Sequence, residues 1–177
     1  AMKLVTYHSD TGPRVGVVLS DQEGSVQVID LNAADNTLPS SLKALLELGE
    51  SGLERAGEVL DMSGAAVVEN PTLLPVIPDP QKIICVGLNY ADHAAETGAK
   101  VGDEPVIFNK FPTTLRGHEQ TIELPAVSSE VDYEAELVIV IGRTAKNVRP
   151  ENARSHVAGY CCGHDVSARD WQKGKPG

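Results

Sequence analysis

The 177 residues carry Asp+Glu 25 against Lys+Arg 15, a formal net charge of -10, with 41% hydrophobic and 4% aromatic residues. This is the composition of a soluble globular chain with room for one domain and an appendage, and its acidity without clustered Lys or Arg argues against a nucleic-acid partner. The longest apolar run, residues 137–141, falls far short of the roughly 20 residues that span a bilayer, which argues against a membrane partner.

Residues 3–7, 15–19 and 26–29 alternate in strand fashion. They are separated by the turn sequences Asp10-Thr11-Gly12-Pro13 and Asp21-Gln22-Glu23-Gly24, which predicts a small β-meander. Ser40-Ser41 can cap a helix over residues 42–48, where Leu42, Leu45, Leu46 and Leu48 form one apolar stripe, and a second short helix is expected over 53–60. Pro71, Pro75, Pro78 and Pro80 each remove a backbone donor and bias the preceding residue toward an extended conformation. Residues 71–80 therefore read as a linker between a small N-terminal domain, 1–70, and a second unit, 81–177.

In the second unit, residues 82–87 read as a buried strand, 91–97 as a short helix ending near Gly98, and 106–108 as another strand. The strongest strand pattern covers 132–141 and stops at Gly142. A short helix over 150–155 and a strand over 157–163 follow, and the final residues, 172–177, have the composition of a loop. A loop directly after a buried strand gives the expectation of a fold that continues past these residues. Cys85, Cys161 and Cys162 lack CxxC spacing, and adjacent strand residues point to opposite faces, so neither a disulfide framework nor a zinc cluster is expected. Unpaired thiols and the absence of a basic segment followed by an apolar one give the expectation of a cytoplasmic protein.

Asp132, Glu134 and Glu136 fall on one face of the predicted strand, successive carboxylates about 6 to 7 Å apart. A solvated acidic edge is one reading. The other follows from residues 137–141, apolar on both faces, which should carry the strand into the core. Buried carboxylates cost several kcal/mol each unless protonated or paired with a cation. Asp165 ends the next strand and can supply a third ligand, with His164 as a rival. Oxygen ligands without paired His or Cys favour Mg²⁺, Mn²⁺ or Ca²⁺ over zinc. His93 and Glu96 are spaced i, i+3 on a helix, which suits an oriented imidazole base or an ordinary surface pair. Gly87 follows a strand without a GxGxxG pattern, so a dinucleotide fingerprint is absent.

Four blocks in order carry a resemblance. They are Val86-Gly87-Leu88-Asn89-Tyr90-Ala91-Asp92-His93-Ala94-Ala95-Glu96, Pro105-Val106-Ile107-Phe108-Asn109-Lys110, Asp132-Tyr133-Glu134-Ala135-Glu136-Leu137, and Gly163-His164-Asp165-Val166-Ser167-Ala168-Arg169-Asp170. Together they resemble the fumarylacetoacetate hydrolase family, and residues 1–70 are similar to the N-terminal extension of many bacterial members. The resemblance implies an α+β, mainly β fold: a mixed β-sandwich roll preceded by a small α/β domain, usually as a homodimer. It implies a divalent metal, Mg²⁺ or else Mn²⁺ or Ca²⁺, on Glu134, Glu136 and Asp165. It implies a His93–Glu96 catalytic pair on a segment that orders over the substrate, Lys110 in the catalytic set, and Asn89, Tyr90, Arg169 and Gln172 on the substrate side.

Family members hydrolyse carbon–carbon bonds of acylpyruvates, decarboxylate oxaloacetate, or isomerise and hydrate related 2-oxo acids. The expectation is a metal-dependent acylpyruvate hydrolase, with oxaloacetate decarboxylation or 2-oxo-acid isomerisation as the alternative. A non-catalytic binding module with a structural Ca²⁺ is the alternative from another class. Arg169 can meet an anionic substrate or pair with Asp165 or Asp170. Arg116-Gly117-His118-Glu119 is more polar than the usual segment there.

Overall fold

The computed structural model describes residues 2–22, 24–98 and 100–174, apart from the side chains of His93 and Thr97. The expected meander forms: β1 Leu4–Ser9, β2 Gly12–Gln22 and β3 Ser25–Asp30 pair antiparallel in sequence order. A short edge strand, β4 Val67–Glu69, joins β3 and completes a four-stranded sheet. Alternation sends Val15 and Val17 of β2 and Ile29 of β3 to one buried face.

Three helices, α1 Leu31–Ala34, α2 Leu42–Glu47 and α3 Glu50–Glu58, cover that face. The Ser41 hydroxyl accepts the Ala44 amide at 3.4 Å, the N-cap expected from the sequence. Leu42 and Leu45 enter the core with Leu31, Leu38, Ala56 and Val59, while Leu48 is left exposed. Full burial of such a side chain contributes roughly 1.5 to 3 kcal/mol, so this core is where the described fold gains most of its apolar stabilisation. α3 begins earlier than expected because Gly49, at φ 67, turns the chain directly after α2.

Residues 71–80 lie along β1. The Leu74 amide donates to the Thr6 carbonyl at 2.8 Å, the His8 amide to that of Thr72 at 2.9 Å, and the Thr6 hydroxyl to that of Val76 at 2.8 Å. Proline restricts this strap to an extended path, and the intervening residues supply its donors. The segment around Gly117 sits on the strap. A Cβ on Gly117 would stand 2.4 Å from the Leu73 carbonyl oxygen and 2.9 Å from the Leu74 Cα, so only glycine permits this approach.

Beyond the strap come three two-stranded antiparallel ladders: β5 Ile83–Gly87 with β6 Val106–Lys110, β7 Val131–Asp132 with β10 Ser167–Ala168, and β8 Ala135–Ile141 with β9 Val157–His164. α4 Ala91–Thr97 lies between β5 and β6 in the chain and ends on Gly98 in the left-handed region, as expected. A 3-10 helix, Pro150–His156, precedes β9.

Three expectations are corrected. The strand over 132–141 is broken at Tyr133 and Glu134, because Asp132 pairs with Ser167 in a different ladder. The strands are not buried: Ile84 is 63% exposed, Leu137 60% and Ile139 51%, since two-stranded ladders have open faces that no other described element covers. Residues 172–174 are helical rather than loop, within α5 Arg169–Gly174, and 175–177 lie outside the described residues. No described helix is long and apolar enough to cross a membrane.

Candidate active site

The open end of the β8–β9 ladder brings the three expected ligands onto one face. Ala135 pairs with His164 and Glu136 with Gly163, and the Asp165 amide donates to the Glu134 carbonyl at 3.0 Å, extending the register by one residue pair. Directly opposite side chains in an antiparallel pair have Cβ atoms about 4.5 to 5.5 Å apart. Glu134 and Asp165 therefore share a face, and Glu136, two residues along, shares it with them. His164 alternates to the other face, which removes it as a rival ligand. Gly163 leaves room beside Glu136: a Cβ there would stand 2.6 Å from Val138 Cγ2 and 3.6 Å from Glu136 Cβ.

Each carboxylate meets a group of the chain itself. Lys110, the last residue of β6, pairs its ammonium with Asp165 Oδ1 and donates to the Val166 carbonyl at 3.0 Å. Arg169 pairs with Glu134 Oε1 at 2.5 Å, donates from Nε to Asp132 Oδ2 at 2.9 Å, and reaches Gln172 Oε1 at 3.0 Å. Its partners are Asp132 and Glu134 rather than the Asp165 or Asp170 expected from the sequence, and Asp170 accepts from Ser128 at 2.7 Å. Burial opposes the Arg169 charge, but the Asp132 hydrogen bond and the Glu134 charge outweigh it and raise its pKa. The same Arg169 hydrogen bond holds the Asp132 carboxyl below its ordinary range.

The Tyr90 hydroxyl donates to Glu136 Oε2 at 3.0 Å and accepts the Leu137 amide at 3.0 Å. Because Tyr90 is the N-cap residue of α4, this contact ties the helix that carries His93 and Glu96 to the acidic face. Glu96 and Asn89 are exposed, and the His93 side chain lies outside what the structure describes. Cys85, on β5, is a neighbour that sequence reasoning missed: burial pushes its thiol pKa up, and the Asp165 charge adds to this against the opposing charge of Lys110. Neither Cys85 nor the Tyr90 to Glu136 bridge has a sequence signal, since both arise between distant segments.

Among the described residues no group of three His, Cys, Asp or Glu side chains is gathered closely enough to hold a metal ion. Lys110, Arg169 and Tyr90 each hold one of the three carboxylates. The donor set nevertheless suits a hard divalent cation. It is all oxygen, it lies on one face, and Asp165 Oδ1 is buried against the ammonium without a well-directed hydrogen bond.

The mainly stranded α+β fold, with an acidic ladder end facing a short helix and two cations, defines the fumarylacetoacetate hydrolase type of protein. Residues 82–176 match the fumarylacetoacetate (FAA) hydrolase C-terminal family, and the chain belongs to the fumarylacetoacetate hydrolase family. It is 46% identical over 178 residues to a mitochondrial oxaloacetate tautomerase of Xenopus laevis, and 40% identical over 179 residues to one of Homo sapiens. The chain spans 56% of the length of each. Among solved structures, the fumarylacetoacetate hydrolase of the psychrophilic Exiguobacterium antarcticum superposes with a TM-score of 0.74 at 32% identity, over 98% of this chain and 58% of that one. A 2-hydroxyhepta-2,4-diene-1,7-dioate isomerase from Mycobacterium marinum gives 0.68 at 29%, over 98% and 57%. The cytoplasmic placement expected from the sequence is overturned by the relatives, which are named mitochondrial; unpaired thiols fit any reducing compartment and do not single out one.

Proposed function

We propose that the carboxylate face of β8 and β9 takes a divalent cation, Mg²⁺ first and Mn²⁺ or Ca²⁺ as alternatives, and that the site interconverts the keto and enol forms of oxaloacetate or a similar 2-oxo dicarboxylate. The observation that carries this reading is the placement of Glu134, Glu136 and Asp165 on one face beside Lys110 and Arg169. The tautomerase names of the mitochondrial relatives supply the substrate. The bound cation would contribute Lewis-acid stabilisation of charge on the 2-oxo oxygen.

The chain's own residues supply the rest. Lys110 and Arg169 offer the local positive charge that a dianion needs on a protein of net charge -10. His93, oriented by Glu96, takes the proton from C3 and delivers it to the 2-oxo oxygen to give the enol, the reverse reaction carrying it from the enol hydroxyl back to C3, and α4 is held at the site through Tyr90. Asn89 and Gln172 belong to the substrate side of this proposal.

Acylpyruvate hydrolysis, the expectation from sequence, becomes the second reading, favoured by the Exiguobacterium structure. It adds one demand, a water activated by His93. Against the binding-module alternative, the relatives' names are those of enzymes. A homodimer remains part of the proposal, supported by the exposed apolar faces of β5, β6 and β8.

The test follows the ultraviolet absorbance of enol-oxaloacetate as it relaxes in Mg²⁺ with and without the protein. Acceleration that disappears with chelator and in Glu134→Gln is expected. Relaxation no faster than in Mg²⁺ alone overturns the tautomerase reading, and turnover of an acylpyruvate panel by the same preparation would replace it with the hydrolase.

A further inference from the structure

Lys110 and Arg169 each hold one of the three carboxylates proposed for a divalent cation. In this structure Lys110 neutralises Asp165 and Arg169 neutralises Glu134, while among the described residues Glu136 meets the neutral Tyr90 hydroxyl rather than a cation. A hard divalent cation takes carboxylate oxygens at about 2.0 to 2.6 Å. The ammonium and guanidinium cannot keep the same oxygens at that point, because like charges a few Å apart in a partly buried site repel strongly.

Both side chains have a second holder that stays behind. Lys110 retains the Val166 carbonyl, and Arg169 retains Asp132, which belongs to the β7–β10 ladder, together with Gln172. Displaced from their carboxylates, the two cations therefore remain beside the site with freed donors. Resting on the metal-site reading above, we infer that Lys110 and Arg169 are stand-in counter-ions: they neutralise the cation-free ladder and turn to the two carboxylates of the substrate once a divalent cation takes their place. The exchange couples the two binding events. Without the cation, the two positive groups are occupied by Asp165 and Glu134; with it, they become available. Coupling of this kind is reciprocal, so the dicarboxylate must also tighten cation binding.

The probes are Mn²⁺, with the free ion followed by electron paramagnetic resonance, and succinate, a dicarboxylate without the 2-oxo group. In the unaltered chain, saturating succinate should tighten Mn²⁺ by about tenfold, within the usual range for coupled sites. Lys110→Met and Arg169→Met should each bind Mn²⁺ more tightly than the unaltered chain, by about tenfold for loss of one nearby unit charge, and lose most of the succinate effect. Lys110→Arg should retain it, and Mn²⁺ binding by each variant reports that the ladder has formed. Full succinate coupling in both methionine variants, or weaker Mn²⁺ binding by them, overturns the inference while leaving the metal site standing. An unaltered chain that binds no Mn²⁺ overturns the metal-site reading, and the inference falls with it.

Discussion

The Asp165 amide donates to the Glu134 carbonyl oxygen at 3.0 Å, which sets these two residues directly opposite each other at the open end of the β8–β9 ladder. Their side chains are thus juxtaposed by the backbone, against the mutual repulsion of two carboxylates. Lys110 and Arg169 offset that repulsion in the described structure.

Asp165→Asn tests whether this juxtaposition serves a cation. The substitution keeps the shape and the amide to carbonyl bond but removes one charge. Mn²⁺ affinity should fall by at least the roughly 10- to 100-fold typical for loss of an outer-shell partner, with unchanged far-ultraviolet circular dichroism. Equal Mn²⁺ affinity in a titration of both proteins would remove Asp165 from the ligand set.

Gly117→Ala tests the seat of residues 115–120 on the strap. The added methyl would collide with the Leu73 carbonyl and the Leu74 Cα, both backbone atoms that cannot rotate away. Overpacking of this kind costs about 1 to 3 kcal/mol, read as a lower urea midpoint. Because the strap is bonded to β1 through Thr6 and His8, its displacement should also increase hydrogen exchange at the His8 and Leu74 amides. An unchanged midpoint with native exchange at both amides would show that the loop yields instead.

Much of this architecture is legible in the sequence because its cause is local. Alternation marks β1 to β3, Ser41 caps α2, Gly98 ends α4, and four short blocks identify the family. The break at Tyr133 and Glu134 has no such mark: residues 132–141 read as one strand, and only the pairing of Asp132 with Ser167, 35 residues on, divides them. The pairing of Arg169 with Asp132 and Glu134 has no sequence mark for the same reason. Apolar residues on both faces of β8 imply cover on both sides, but the described chain supplies no such cover, so Leu137 and Ile139 stay exposed where the pattern predicts burial.

The buried network of Tyr7, Asp30 and Arg14 predicts how stability changes with pH. The Tyr7 hydroxyl donates to Asp30 Oδ2 at 2.5 Å, and Arg14 holds both Asp30 oxygens at 2.7 and 2.6 Å. Burial, then the hydrogen bond and charge of Asp30, push the Tyr7 pKa from 10.0 up to about 12, with Arg14 opposing. A folded value above the unfolded one means that the contribution is complete below pH 10 and is lost as pH rises to about 12. For this 3% exposed residue the loss is about 2 to 3 kcal/mol. Asp30 has the opposite sign: burial raises its pKa but the Arg14 and Tyr7 hydrogen bonds prevail and lower it, so its contribution is present above 3.8 and disappears as pH falls through the depressed folded value. Urea midpoints against pH should show an alkaline decline that is shallower in Tyr7→Phe, which should itself lose about 1.5 to 3 kcal/mol at neutral pH with the hydrogen bond to a charged acceptor. The same alkaline slope in both proteins would place the decline elsewhere.

His93→Ala separates the chemistry from the cation site. His93 lies on α4, which Tyr90 ties to Glu136, whereas the proposed ligands lie on the β8–β9 ladder itself. Loss of a general base should lower turnover roughly 10² to 10⁴-fold, while Mn²⁺ affinity stays within about twofold because no proposed ligand is touched. A fall in kcat with little change in KM is the expected pattern, since proton transfer develops in the transition state. Glu134→Gln should lower Mn²⁺ affinity and turnover together. Oxaloacetate decarboxylation, if the protein performs it, should respond weakly to His93→Ala, because departure of CO₂ takes the electron pair to C3 without a base. If His93→Ala leaves the relaxation of enol-oxaloacetate unchanged, the proton is moved by another group, and α4 serves the site only through Tyr90.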